Sequence, residues 1–123
     1  RAFFLFPVQQ YRQVWDTRVC RGHKYEKVCY QGKDIGQFSM FHGRITACFV
    51  GHDHVNDFEG TLDGVDLVYG RATGYRGYGR EGFPRGGRVI ELREGIRGYS
   101  THIRLAGGAI AELPMHEPEP ATE

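Results

Sequence analysis

The 123-residue sequence lacks any apolar run of about 18 residues, which excludes a membrane-spanning helix. It has a single asparagine, Asn56, followed by Asp57-Phe58, so it carries no N-glycosylation sequon. No C-x-x-C pair occurs, and a cysteine-based zinc site is not expected. There is no Ser-His-Asp arrangement, nucleophile elbow or P-loop, which argues against the hydrolase and nucleotide-binding classes that depend on them. The first residues, Arg1-Ala2-Phe3-Phe4-Leu5-Phe6, lack a Met and are too short for a signal peptide. A chain that opens this way reads as cut from something longer. What remains is globular in composition, 40% apolar and 25% charged.

Charge is unevenly spread. Up to residue 106 there are 16 basic and 11 acidic residues, whereas from Gly107 onward there are four acids and no base. Eight arginines and no lysine lie between Arg71 and Arg104. Such a face suits an acidic partner, a phosphate or nucleic acid, or is simply a solvated surface. Cys20 and Cys29 are separated by eight residues of polar sequence, where a loop-closing disulfide is feasible; Cys48, in an apolar run, reads as a buried thiol. This cysteine usage points to a secreted, extracellular or organellar-lumen setting.

Residues 2–6 read as a short buried strand, apolar on both faces. Pro7 suits a first helical turn, with Val8, Tyr11, Val14 and Trp15 at spacings of three and four. A polar stretch follows, then a short helix over 37–42 and a second buried strand over 45–50. Strand, helix, loop, helix, strand is the pattern of an α/β unit. Leu62-Asp63-Gly64-Val65 predicts a hairpin turn ahead of a strand over 65–69. Residues 70–87 hold seven of the 18 glycines, and strands over 88–93 and 99–105 are expected to pair antiparallel around a turn at Gly95–Gly98. From Pro114 the sequence is rich in Pro and Glu and reads as disordered or draped on a partner.

One segment carries recognisable chemistry. Gly51-His52-Asp53-His54 directly follows the second apolar strand. A two-residue offset in a loop aims both imidazoles toward one point, and neutral imidazole is a common ligand of Zn, Fe and Mn. Open α/β sheets place their ligands at the carboxyl ends of strands, which favours a metal role for this turn. The plain alternative is a pair of loop histidines bonded to backbone.

The octet Gly51-His52-Asp53-His54-Val55-Asn56-Asp57-Phe58 resembles the last motif, G-H-x-H, of the calcineurin-like metallophosphoesterases. More narrowly it resembles the purple acid phosphatase-like branch, in which G-H-D-H-x-N-D-F/Y recurs. Ala2-Phe3-Phe4 through Tyr11 resembles that branch's F-F-H-I-P-x-P-E-Y segment. Thr73-Gly74-Tyr75, Gly77-Tyr78-Gly79 and Arg85-Gly86-Gly87-Arg88-Val89-Ile90 resemble its glycine-rich loop and following strand. The likeness covers roughly residues 2–106.

The resemblance implies an α/β fold, the C-terminal half of a four-layer α/β/β/α metallophosphoesterase sandwich with mixed parallel and antiparallel strands. Residues 1–108 would belong to it, with 109–123 a flexible or partner-bound tail. It implies a two-metal phosphoesterase, in which a metal-bound hydroxide hydrolyses a phosphate monoester. The ions would be divalent or trivalent Fe, Zn or Mn. Carried over, His52 and His54 are the candidate ligands, one for each ion; no residue is assigned as catalytic or substrate-binding.

Two departures count against activity. The family's earlier motifs, D-x-H, G-D-x-x-D and G-N-H-E/D, are absent from the 123 residues. Leu5 stands where the family's F-F-H segment has a metal-ligand histidine. The chain is therefore expected either to complete a site with an N-terminal half, in the same protein or another chain, or to be a degenerate structural or interaction module in a homo- or hetero-assembly. Leu5 favours reduced or lost catalysis. His23 and His42 read as ordinary polar residues, His102 and His116 as exposed, and Asp57 as a loop cap. Arg71–Arg80 and Arg85–Arg88 taken alone suggest single-stranded RNA. The family's own loop has that texture, so nucleic acid is not expected as a partner. The chain by itself is expected to be insoluble or partly folded, for want of cover over its first strand.

Overall fold

The computed structural model describes residues 1–119. Ten short elements follow one another: β1 (Ala2–Phe3), α1 (Gln10–Thr17), β2 (Cys20–Arg21), α2 (Gln37–Phe41), β3 (Ala47–Val50), β4 (Glu59–Leu62), β5 (Val65–Tyr69), β6 (Gly86–Glu91), β7 (Ser100–Leu105) and β8 (Met115–His116). Six strands form one mixed sheet in the order β1-β3-β5-β4-β2-β8, and β6 and β7 form a separate hairpin. β1, β3 and β5 run parallel; β4, β2 and β8 add antiparallel.

The central strands are apolar at successive positions because both faces of the sheet are covered. Cys48 and Val50 of β3, with Val65, Leu67 and Tyr69 of β5, face a core shared with Tyr11, Val14 and Phe41 of the helices. Ala47, Phe49 and Val68 face the other way, where Ile90 and Tyr99 pack on them from the β6–β7 hairpin region. Tyr11, fully buried, ties α1 to the parallel strands: its hydroxyl donates to Cys48 O at 2.8 Å and accepts Val68 N–H at 3.1 Å. The turn between β4 and β5 has Asp63 and Gly64 both at positive φ, 49° and 76°, the conformation that an Asp-Gly hairpin supplies.

Several boundaries differ from expectation. The first strand is two residues long, and its side chains are not buried. β1 lies at the sheet edge with β3 on one side only, leaving Phe3 62% and Leu5 64% exposed. α1 starts at Gln10, since Val8 and Gln9 first form a turn that accepts Tyr11 and Arg12 N–H. β3 starts at Ala47, because Ile45 N–H is still held by Phe41 O at 2.8 Å.

The acidic tail is not loose over its described part. Met115 and His116 pair with Arg21 and Cys20, and the His116 ring stacks on Trp15 with centroids 3.6 Å apart. His116, read from sequence as an exposed residue without a partner, is thus half-buried on an indole. His102 is also half-buried, in β7, with Nε2 enclosed. Residues 120–123 of the expected tail lie outside the described residues. Among the described residues no helix is long and apolar enough to cross a membrane.

Candidate metal centre

Three parallel strands end together, and the Gly-His-Asp-His turn grows from their carboxyl ends. Gly51 N–H donates to Leu5 O at 3.1 Å, and Gly70 N–H donates to Val50 O at 2.8 Å. These bonds carry the register of β1, β3 and β5 one step past the strands. A cleft of about 280 Å³ opens there, lined by Gly51, His52, Asp53, His54, Arg71 and Gly77 among others. Both sequence-predicted histidines face it.

His52 sits in a tight turn, with φ of 68° and Asp53 N–H returned to Gly51 O at 2.9 Å. Positive φ is uncommon for a residue with a side chain and costs on the order of 1–3 kcal/mol. The turn is held by contacts around the ring. Phe6 packs on the imidazole with centroids 4.4 Å apart, and His52 Nδ1 donates to Asp53 Oδ1 at 3.0 Å. Asp53 is 4% exposed and serves as a hub: Tyr69 OH donates to its Oδ2 at 2.5 Å and Cys29 N–H at 3.0 Å. Burial, then the Asp53 carboxylate, push the Tyr69 phenol far above its ordinary pKa, so it stays a donor.

His54 is oriented by the glycine-rich loop. Its Nδ1–H donates to Tyr78 O at 2.8 Å, and its ring stacks on Tyr78 with centroids 4.1 Å apart. Gly77 makes room for it, since a Cβ there would meet His54 Cε1 at 2.6 Å. In both histidines one ring nitrogen is bound to a protein oxygen, leaving Nε2 for another partner. That is how ligating imidazoles are usually fixed.

The rest of the octet is structural. Asn56 Oδ1 accepts the backbone N–H of Tyr25 and Glu26, pinning the polar loop that follows β2. Asp57 is fully buried, accepting His23 N–H at 2.6 Å and the Arg71 guanidinium at 2.7 Å. Arg71 lies over the Phe83 ring at 3.4 Å, and Arg88 spans Tyr69 O, Glu59 and Asp57 O. The arginines of the glycine-rich stretch thus spend much of their charge on their own chain. His23 sits on Asp57, away from the cleft, and His42 is exposed elsewhere.

The Cys20–Cys29 disulfide that the sequence leaves feasible is not formed; all three cysteines are free. Cys20 is on β2 with its side chain turned into the core toward Val14 O, whereas Cys29 is exposed on the polar loop after β2, where its N–H is bonded to Asp53 of the motif turn. Sequence spacing leaves such a bond open because it does not reveal that β2 turns Cys20 inward. Cys29, His52 and Asp53 each offer a donor atom within 4.8 Å of the others. His54 belongs to no such group of three among the described residues. Tyr69, Tyr78, Arg71 and Cys29 were not singled out from sequence for roles at this site. Nothing local marks them, because their partners lie 14 to 24 positions away.

His52 and His54 both line the cleft with Nδ1 bonded to a protein oxygen, an arrangement compatible with metal binding at the other ring nitrogen. Leu5 does not fit. Its carbonyl accepts Gly51 N–H, but its own side chain is apolar and exposed and offers no donor atom.

A parallel strand that delivers a Gly-His-x-His turn into a cleft, with an antiparallel extension beside it, has the form of a metallophosphoesterase-like protein. No family model matches the chain, and no solved structure matches it. Curated plant proteins do. The chain is 43% identical over 114 residues to the probable inactive purple acid phosphatase 28 of Arabidopsis thaliana, covering 85% of this chain and 28% of that protein. It is 35% identical over 91 residues to probable inactive purple acid phosphatase 29 of the same plant, covering 72% of this chain and 23% of that protein. To probable inactive purple acid phosphatase 14 it is 40% identical over 94 residues, covering 75% and 23%. The chain belongs to the purple acid phosphatase-like family, and it spans about a quarter of the length of the relatives it matches.

Proposed function

We propose that this chain is the C-terminal portion of a degenerate two-metal phosphoesterase, in which His52 and His54 are retained as ligands and phosphate-ester hydrolysis is reduced or lost. The observation that carries the reading is Leu5. By the resemblance of residues 2–11 it stands where the family's F-F-H segment has a donor for the same ion as His52, and its carbonyl is bonded to Gly51 N–H at the start of the motif. Three relatives whose names mark them as probable inactive purple acid phosphatases support the same conclusion.

Ions held at His52 and His54 would supply Lewis acidity to a phosphate oxygen. The chain's own residues do the aiming: Asp53 orients His52, and Tyr78 with Gly77 orients His54. The four-layer sandwich belongs to the same proposal. Its missing strands would add to the open edge of β1, where Phe3 and Leu5 are exposed.

The test is metal content together with turnover of p-nitrophenyl phosphate in the intact protein. Fewer than two ions per chain and no turnover above background are expected. Leu5→His should raise occupancy, and at an exposed position it should cost little stability. Two ions per chain, with turnover that collapses in His54→Ala, would overturn the degenerate reading. Metal content unchanged in both His52→Ala and His54→Ala would overturn the ligand assignment.

A further inference from the structure

The polar loop after β2 brings Cys29 to the motif turn, and this contact has no counterpart in the Gly-His-x-His reading. We propose that Cys29, His52 and Asp53 together form a thiolate-containing cation site that takes zinc or a similar borderline-soft ion. The site rests on the reading above only in sharing His52; it does not use His54.

The donor set is chemically selective. A thiolate, an imidazole and a carboxylate together favour zinc-class ions over magnesium or calcium, which prefer oxygen alone. Three protein donors also leave a fourth tetrahedral position open. Geometry is close to what an ion needs. Zinc lies about 2.3 Å from sulfur and about 2.0–2.2 Å from nitrogen or oxygen, so donors around it are roughly 3.3–3.6 Å apart. His52 Nδ1 and Asp53 Oδ1 are 3.0 Å apart, and an ion bound between them would take the place of the Nδ1 proton, the neutral imidazole then carrying its proton on Nε2. The full trio lies within 4.8 Å, and Cys29 is its exposed member.

The trio is also held together before any ion arrives. Cys29 N–H is bonded to Asp53 Oδ2 at 3.0 Å, so its backbone is tied to the carboxylate that would share the ion. Tyr69 OH holds the same oxygen at 2.5 Å from the buried side. The other cysteines cannot substitute, since Cys20 and Cys48 are 1% and 0% exposed. On binding, the Cys29 thiol proton leaves to solvent and the sulfur lone pair goes to the ion.

Cobalt(II) is the probe, added to the metal-stripped intact protein. A thiolate-to-cobalt charge-transfer band in the near ultraviolet is expected, displaced by equimolar zinc. Cys29→Ser and His52→Ala should each abolish the band and weaken zinc retention at least tenfold, whereas His54→Ala should leave both unchanged. Cys29→Ser keeps the backbone bond to Asp53, and an unchanged circular dichroism spectrum would confirm its fold. Absence of the band in the wild-type protein, or its persistence in Cys29→Ser, would overturn the proposal. Equal loss in His54→Ala would overturn it in favour of the histidine pair, leaving the phosphoesterase reading intact.

Discussion

Replacing Asp57 with alanine should destabilise the protein by about 3–5 kcal/mol, because it breaks a buried ion pair from one side. The Asp57 side chain is 0% exposed and that of Arg71 3%, with 2.7 Å between Oδ2 and Nη1. Without the carboxylate the guanidinium stays enclosed under Phe83 with Pro84 O as a remaining partner, and His23 N–H loses its 2.6 Å acceptor. Burial already draws the Arg71 pKa below its ordinary value, and the Asp57 charge is what opposes that trend. Urea unfolding followed by circular dichroism measures the loss directly. Asp57→Asn should cost less, since it retains an acceptor, and Asp57→Ala with Arg71→Met should recover part of the loss by removing the stranded charge. A cost below about 1 kcal/mol for Asp57→Ala, or no coupling between the two sites in a double-mutant cycle, would refute the argument.

Other outcomes follow from single contacts. Gly60→Ala should cost about 1–3 kcal/mol in the same unfolding assay, because its Cβ would sit 2.6 Å from Cys20 Sγ and 3.0 Å from Val14 Cγ2. Tyr69→Phe removes a hydroxyl bonded to the buried Asp53 carboxylate and should cost about 1.5–3 kcal/mol in urea unfolding. Iodoacetamide should label exposed Cys29 in the native protein and reach Cys20 only after unfolding. Burial raises the Cys20 thiol to about 11, so the fold favours its neutral form. That stabilisation is complete below the ordinary thiol pKa of about 8.5 and is lost as pH rises through 11, which alkaline unfolding curves of Cys20→Ala should no longer show.

The elements legible in the sequence were those whose cause is local. The Asp63-Gly64 turn, the 37–41 helix and the apolar strand before Gly51 each depend on neighbours a few positions away, and each is present. The Gly-His-Asp-His turn was legible as a candidate site for the same reason. Boundaries set by distant contacts were not. The first strand was taken as buried from its composition, whereas its position at the sheet edge leaves Phe3 and Leu5 exposed. The Pro and Glu content of the tail suggests disorder or a place on a partner, yet Met115 and His116 pair with β2 of the same chain, some 95 positions upstream.

By itself, then, the sequence determined the periodicities, the turn chemistry and the two imidazoles delivered at the end of a parallel strand. Only the tertiary structure decided what surrounds them. It separated Cys20 from Cys29, burying one and placing the other against Asp53, and it made Asp57 and Arg71 a buried pair rather than a loop cap and a surface charge. The physical reason is common to all of these. Burial and donor geometry arise from contacts between segments far apart in the chain, and a residue's type carries no record of which distant segment will cover it.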